Sequence, residues 1–136
     1  MADFKKSIGK VLAHEGGYVN DPNDAGGETY KGIARNMWKD WAGWAIIDAE
    51  RHVAGFPKNL LAIVHLGELI ADFYKKHFWD KIGGDQLKNQ DIADLLVDIA
   101  VNQGVVPAVK RAQEVVGQEQ TGHIDIGLIA SLNSLA

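Results

Sequence analysis

The chain has 136 residues, 46% of them apolar, a net charge of −4 and no cysteine. That is enough apolar material for one packed domain and too much for a disordered tail. Disulfides and thiolate metal sites are excluded, and with no run of about 18 apolar residues so is a membrane-spanning helix.

The mildly acidic balance argues against nucleic acid as a partner, because nucleic-acid binders carry a basic face. The lysines are scattered, apart from the pairs Lys5-Lys6 and Lys75-Lys76. The opening MADFKKSIGKVLAHEGG does not read as a secretory signal, since Lys10 and His14 interrupt its apolar positions. The expectation is synthesis in the cytoplasm without a leader.

In chain order, apolar spacing predicts a first helix from about Asp3 to Glu15. Phe4, Ile8, Val11, Leu12 and Glu15 share one face, and Gly16-Gly17 end it. Residues 16 to 34 are rich in turn formers (Asn20, Asp21, Pro22, Asn23, Asp24, Gly26, Gly27). Tyr18-Val19 and Thr29-Tyr30 fit a short irregular hairpin between them. From Arg35 the pattern is helical nearly to the end, with breaks at Pro57, Gly83-Gly84 and Gly104. Leu66, Leu69, Ile70, Phe73 and His77 form one stripe. Ile92, Leu95, Leu96, Ile99 and Gln103 form the next, wide enough to predict the most buried helix. Pro107 suits the first turn of another helix, and Asp125 suits the cap of a final short one. The sum is a compact helical domain with one small β excursion near its start.

Glu15 is the residue that needs explaining. A carboxylate on an apolar stripe is costly unless paired or protonated, and a helix C-terminus repels it further. Both effects raise its pKa. A carboxylic acid that stays protonated near neutral pH suits glycosidic cleavage, where it protonates the leaving oxygen. Asp21, Asp24 and Thr29 follow and are candidates to hold a water or offset positive charge on the other side of the sugar. The competing reading is an ordinary surface glutamate paired with Lys31 or Arg35. The loop also imitates a calcium loop, but Ala25 and Gly32 occupy two ligand positions, so no metal site is expected there.

HEGGYVNDPNDAGGETYKGI, residues 14–33, resembles glycoside hydrolase family 108, the lysozyme-like N-acetylmuramidases also described as secretion activator proteins. The match runs through Glu15, Gly16, Gly17, Tyr18, Asn20, Asp21, Pro22, Asp24, Gly26, Gly27, Thr29, Gly32 and Ile33. Phe78, Trp79 and Asp80 resemble a second family segment, and Asp98, Asn102, Gly104 and Gln113 a third. The resemblance implies a mainly α, α+β lysozyme-like fold, with a small N-terminal hairpin beside the cleft. It implies a single domain over 1–136, with a catalytic half to about 84 and a helical half over 85–136 that resembles the start of a peptidoglycan-binding segment. It implies Glu15 as catalytic acid and peptidoglycan as substrate, cut at the β-1,4 bond after N-acetylmuramic acid.

Asp24 and Thr29 are the candidates to act beside Glu15, with inversion the expected outcome; Asp21 is a weaker candidate. Tyr18 and Tyr30 are candidates to stack on sugars, and Asn102 and Gln103 to bond an N-acetyl group; plain turn, core and amide roles compete for each. No cofactor, no metal, no nucleic acid and no stable membrane insertion are expected. Access to the wall would use an export or pore-forming partner. The rivals are a non-catalytic wall-binding or secretion-accessory protein and a lytic transglycosylase. Two departures stand out: Tyr30 and Ala34 replace residues of a Thr-Asn-x-Gly-Ile-Thr run, and the C-terminal segment is short.

Overall fold

The computed structural model describes residues 1–14, 16–23 and 27–135, with only the backbone of His14. Among them are six α-helices and a three-stranded antiparallel sheet of order β1-β2-β3. By internal contacts the chain forms two compact units. One joins Met1–Val11 to Tyr74–Ala136, and the other is Leu12–Phe73. The halves expected from sequence met near residue 84.

The first unit opens with α1 (Phe4–His14), which buries Ile8 and Val11 on its predicted face. Ser7, also buried, donates to Asp94 Oδ1, and Lys10 pairs with Asp94 Oδ2. α3 (Val64–Tyr74) runs into a π-turn at Lys75–Trp79. That i→i+5 turn spaces the buried Tyr74 and Trp79 five residues apart, so a 3.6-residue period carried through His77 loses register. Trp79 is fully buried, with Phe4 against it edge-on at 5.6 Å and its indole N–H donating to Asp85 Oδ1 at 2.8 Å. Gly84 lets the chain pass over that indole, because a Cβ there would sit 2.2 Å from the ring.

α4 (Gln90–Gln103) is capped by Asn89, whose side chain accepts from Ile92 N. It buries Ala93, Leu96, Val97 and Ala100, but Leu95 is 61% exposed. It is therefore a half-buried helix, where the wide stripe predicts the most buried one. The three aspartates of α4 differ in their surroundings. Asp94 is held by Ser7, Lys10 and Gln90, whereas Asp91 and Asp98 are exposed. α5 (Val105–Val115) starts beside Pro107, and α6 (Ile126–Ser134) is capped by Asp125 accepting from Leu128 N at 2.7 Å, as its sequence predicts. The buried Gln113 clamps the loop between them through Thr121, Gly122 N and His123 O. An apolar groove of about 590 Å³ runs along α4, α5 and α6, with Leu95, Val115 and Leu135 on its walls.

The second unit carries the sheet: β1 (Tyr18–Asn20), β2 (Glu28–Tyr30) and β3 (Ile33–Ala34). β2 and β3 turn at Lys31-Gly32, both at positive φ (50° and 82°), the geometry of a two-residue type I′ hairpin. The expected hairpin thus has a third strand. The helix expected from Arg35 begins only at α2 (Gly43–Glu50). Before it, residues 35–42 form turns around a tryptophan cluster. Trp44 donates to Trp38 O, and Trp41 packs edge-on to Trp44 at 5.3 Å. Gly43 sits under the Trp41 ring, where a Cβ would meet carbon at 2.3 Å. Aromatic packing here outcompetes helix propensity. Further turns and a 3-10 segment (Lys58–Ala62) lead to α3, which buries Leu66, Ile70 and Phe73. No described helix is long and apolar enough to cross a membrane.

Candidate active site

The candidate residues of the second unit gather on and around the sheet. Tyr18 pairs with Tyr30, Val19 with Thr29, and Thr29 with Ala34. Directly paired residues point to the same face, and neighbours along a strand to opposite faces. Tyr18, Glu28 and Tyr30 therefore share one face, while Val19, Thr29 and Ala34 share the other. The first is the packed face: Tyr30 is 3% exposed. The second is open, with Val19 at 48%. Thr29 is half-buried on it, and its hydroxyl has no hydrogen-bond partner among the described residues.

The structure consequently separates Thr29 from the two tyrosines proposed as sugar platforms. The Tyr18 ring packs edge-on against Phe56 at 4.9 Å, and its hydroxyl is bound on two sides. Tyr30 lines a small pocket of about 160 Å³ on the packed side, with Leu12, Lys31, Leu61 and Leu66. Burial raises the phenol pKa at both. Asp21 is exposed and its Oδ1 accepts from Asn23 N at 2.9 Å, a local turn that uses the carboxylate. Glu15 and Asp24 lie outside the described residues. Asn102 and Gln103 end α4 in the other unit. Both are exposed rather than on its apolar face, and Asn102 donates back to Asp98.

Sequence reasoning passed over the most connected charges in this unit. The carboxylate of Glu28, 11% exposed, accepts from Tyr18 Oη at 2.5 Å, Arg51 Nη2 at 2.6 Å and Arg35 Nη1 at 2.9 Å. Asp48, on α2, takes Arg35 in a two-point contact at 2.7 Å for each bond, and Arg51 at 2.9 Å. Burial pushes the Glu28 pKa up, but the hydrogen bonds from Tyr18, Arg51 and Arg35 outweigh it and hold the carboxyl below its ordinary range. Hydrogen bonds from Arg35 and Arg51 hold Asp48 far lower still. The same bonds raise both guanidinium pKa values. Arg35, one of the two cations that would neutralise Glu15 as a surface pair, is thus committed to Glu28 and Asp48. One signal was available: Asp48 and Arg51 stand three apart on a predicted helix, the spacing of a surface ion pair.

Among the described residues no group of three His, Asp or Glu is placed to hold a metal ion. What remains is a hydroxyl without a partner among the described residues, on an open sheet face backed by a charged brace, and close in sequence to two carboxylic acids.

These features define an α+β protein of lysozyme-like fold. The chain belongs to the glycosyl hydrolase 108 family, whose model matches residues 8–104. It is similar to the solved structure of Brucella abortus SagA, with 32% identity and a TM-score of 0.67 over 98% of this chain and 70% of that one. No curated protein matches the chain.

Proposed function

We propose that this chain is a muramidase that hydrolyses the β-1,4 bond between N-acetylmuramic acid and N-acetylglucosamine in bacterial peptidoglycan. Glu15, the residue that follows α1 in the sequence, gives its proton to the leaving glycosidic oxygen as the sugar gains oxocarbenium character. A water held by Asp24 and Thr29 adds to the anomeric carbon from the opposite side, and its spare proton passes to Asp24. Water splits across the bond, and each product carries one half. The observation that carries the reading is family membership across the segment that contains Glu15, Asp24 and Thr29. The open face on which β2 presents Thr29 agrees with it, since a water-holding hydroxyl must reach solvent and sugar.

The site of action in this reading is the cell wall, reached through an export or pore-forming partner. In this reading the buried Tyr30 serves packing, and Tyr18 is engaged by Phe56, Glu28 and Arg51.

Product analysis on defined glycan strands tests the reaction. Hydrolysis leaves a reducing N-acetylmuramic acid end. An anhydro end, lighter by one water, would identify a lytic transglycosylase instead. Retained binding with intact strands would identify a non-catalytic wall protein.

A further inference from the structure

We propose that Glu28 is a positioning residue for Thr29, fixing through its three hydrogen bonds the direction in which the neighbouring hydroxyl points. The proposal rests on the muramidase reading, in which Thr29 holds the attacking water.

β2 has three residues, and Gly27 directly before it has φ +63°. So short a strand has few ladder bonds to resist rolling about its own axis, even with β1 and β3 paired on either side of it. Roll is the motion that would swing Thr29, because side chains on a strand alternate faces. Glu28 and Thr29 are adjacent, so whatever holds Glu28 on the packed face sets Thr29 on the open one.

Glu28 is held unusually well. The donors come from three places: Tyr18 from β1, Arg35 directly after β3, and Arg51 directly after α2. Arg35 N also donates to the Glu28 carbonyl at 2.9 Å, so backbone and side chain of one residue are tied to the same partner. Asp48 grips both guanidiniums from behind. Phe56 closes the end, stacked under Arg51 and edge-on to Tyr18. Two carboxylates balance two guanidiniums, so the cluster tolerates partial burial. Three donors that converge from different directions on one carboxylate restrict its rotation as well as its distance. Misplacing a catalytic group by about 1 Å costs on the order of a hundredfold in rate.

The test is a double-mutant cycle of Glu28→Gln and Thr29→Ala, with kcat and KM measured on soluble glycan strands and folding checked by circular dichroism. Positioning predicts that Glu28→Gln lowers kcat by about 10- to 100-fold with KM within about twofold. In the Thr29→Ala background the same change should cost less than about threefold, because there is no hydroxyl left to aim. Equal fold-losses in both backgrounds, or an unchanged kcat in folded Glu28→Gln, overturns the proposal. So does a Thr29→Ala protein as fast as the native chain. If Glu28→Gln does not fold, Tyr18→Phe removes one of the three bonds and takes its place in the cycle, with the same predicted loss of coupling. A native chain that cleaves no glycan sinks the muramidase reading and this proposal with it. Cleavage with multiplicative losses sinks this proposal alone.

Discussion

Tyr18 and Tyr30 are register partners on neighbouring strands, and both put their rings on the face of the sheet from which Thr29 points away. The register decides what each tyrosine can do. A ring that is 3% exposed is a core side chain, so Tyr30→Ala should destabilise the fold by about 3–5 kcal/mol, the cost of deleting a buried aromatic. Urea denaturation measures this directly. A sugar-stacking Tyr30 would instead raise KM and leave the unfolding midpoint in place.

Stability should fall on acidification. Glu28, Asp48 and Asp94 all have folded-state pKa values below their ordinary ones, near 4. At Asp94 burial pushes the pKa up and is outweighed by hydrogen bonds from Lys10, Ser7 and Gln90. A group with a depressed folded pKa stabilises the fold fully above its unfolded pKa. That contribution is lost as pH drops through the folded value, because the unfolded chain then binds more protons. The thermal midpoint should therefore be flat from pH 5 to 7, as far as these three groups set it, and decline steadily below about pH 4.5. In Asp94→Asn the decline should be shallower, from a lower starting midpoint at pH 7.

Two glycines should respond in opposite directions to alanine. Gly84→Ala pushes a methyl into the fully buried Trp79 ring, an overpacking that costs about 1–3 kcal/mol. Gly9 lies inside α1 with nothing within 4 Å of where its Cβ would be. Gly9→Ala should stabilise by about 0.5–1 kcal/mol through helix propensity. Paired denaturation curves check both.

Gln113→Leu keeps the size of a buried side chain but removes the partners of Gly122 N, Thr121 and His123 O. The expected cost is about 1–3 kcal/mol, from leaving polar groups unsatisfied in a closed site. Limited proteolysis should cut first between Gly117 and Asp125, at a bond the native chain protects.

The parts of this fold that could be read from the chain are those set within one element. Asp125 caps α6 because its position precedes an apolar run. Tyr18-Val19 and Thr29-Tyr30 pair because turn formers separate two short β-prone runs. What could not be read depends on residues far apart. Glu28 meets Arg35, Arg51 and Tyr18 across sequence separations of 7, 23 and 10 residues, and periodicity carries no information over such gaps. The π-turn at Lys75–Trp79 defeats helical periodicity locally, so the buried Trp79 falls outside the stripe that the sequence carries through His77. Leu95 was read as core because an apolar stripe does not reveal how wide a surface its neighbours cover. For the site itself, Thr29 was legible as a candidate from the resemblance, whereas its open face became legible only through the register with Val19.

Clearing of purified peptidoglycan by the native chain and by Glu15→Gln tests the central claim most directly. The account predicts clearing by the native chain and a loss of at least about a hundredfold in the variant, with folding and wall binding retained, since an amide cannot deliver the proton. Equal clearing by the two proteins would contradict it.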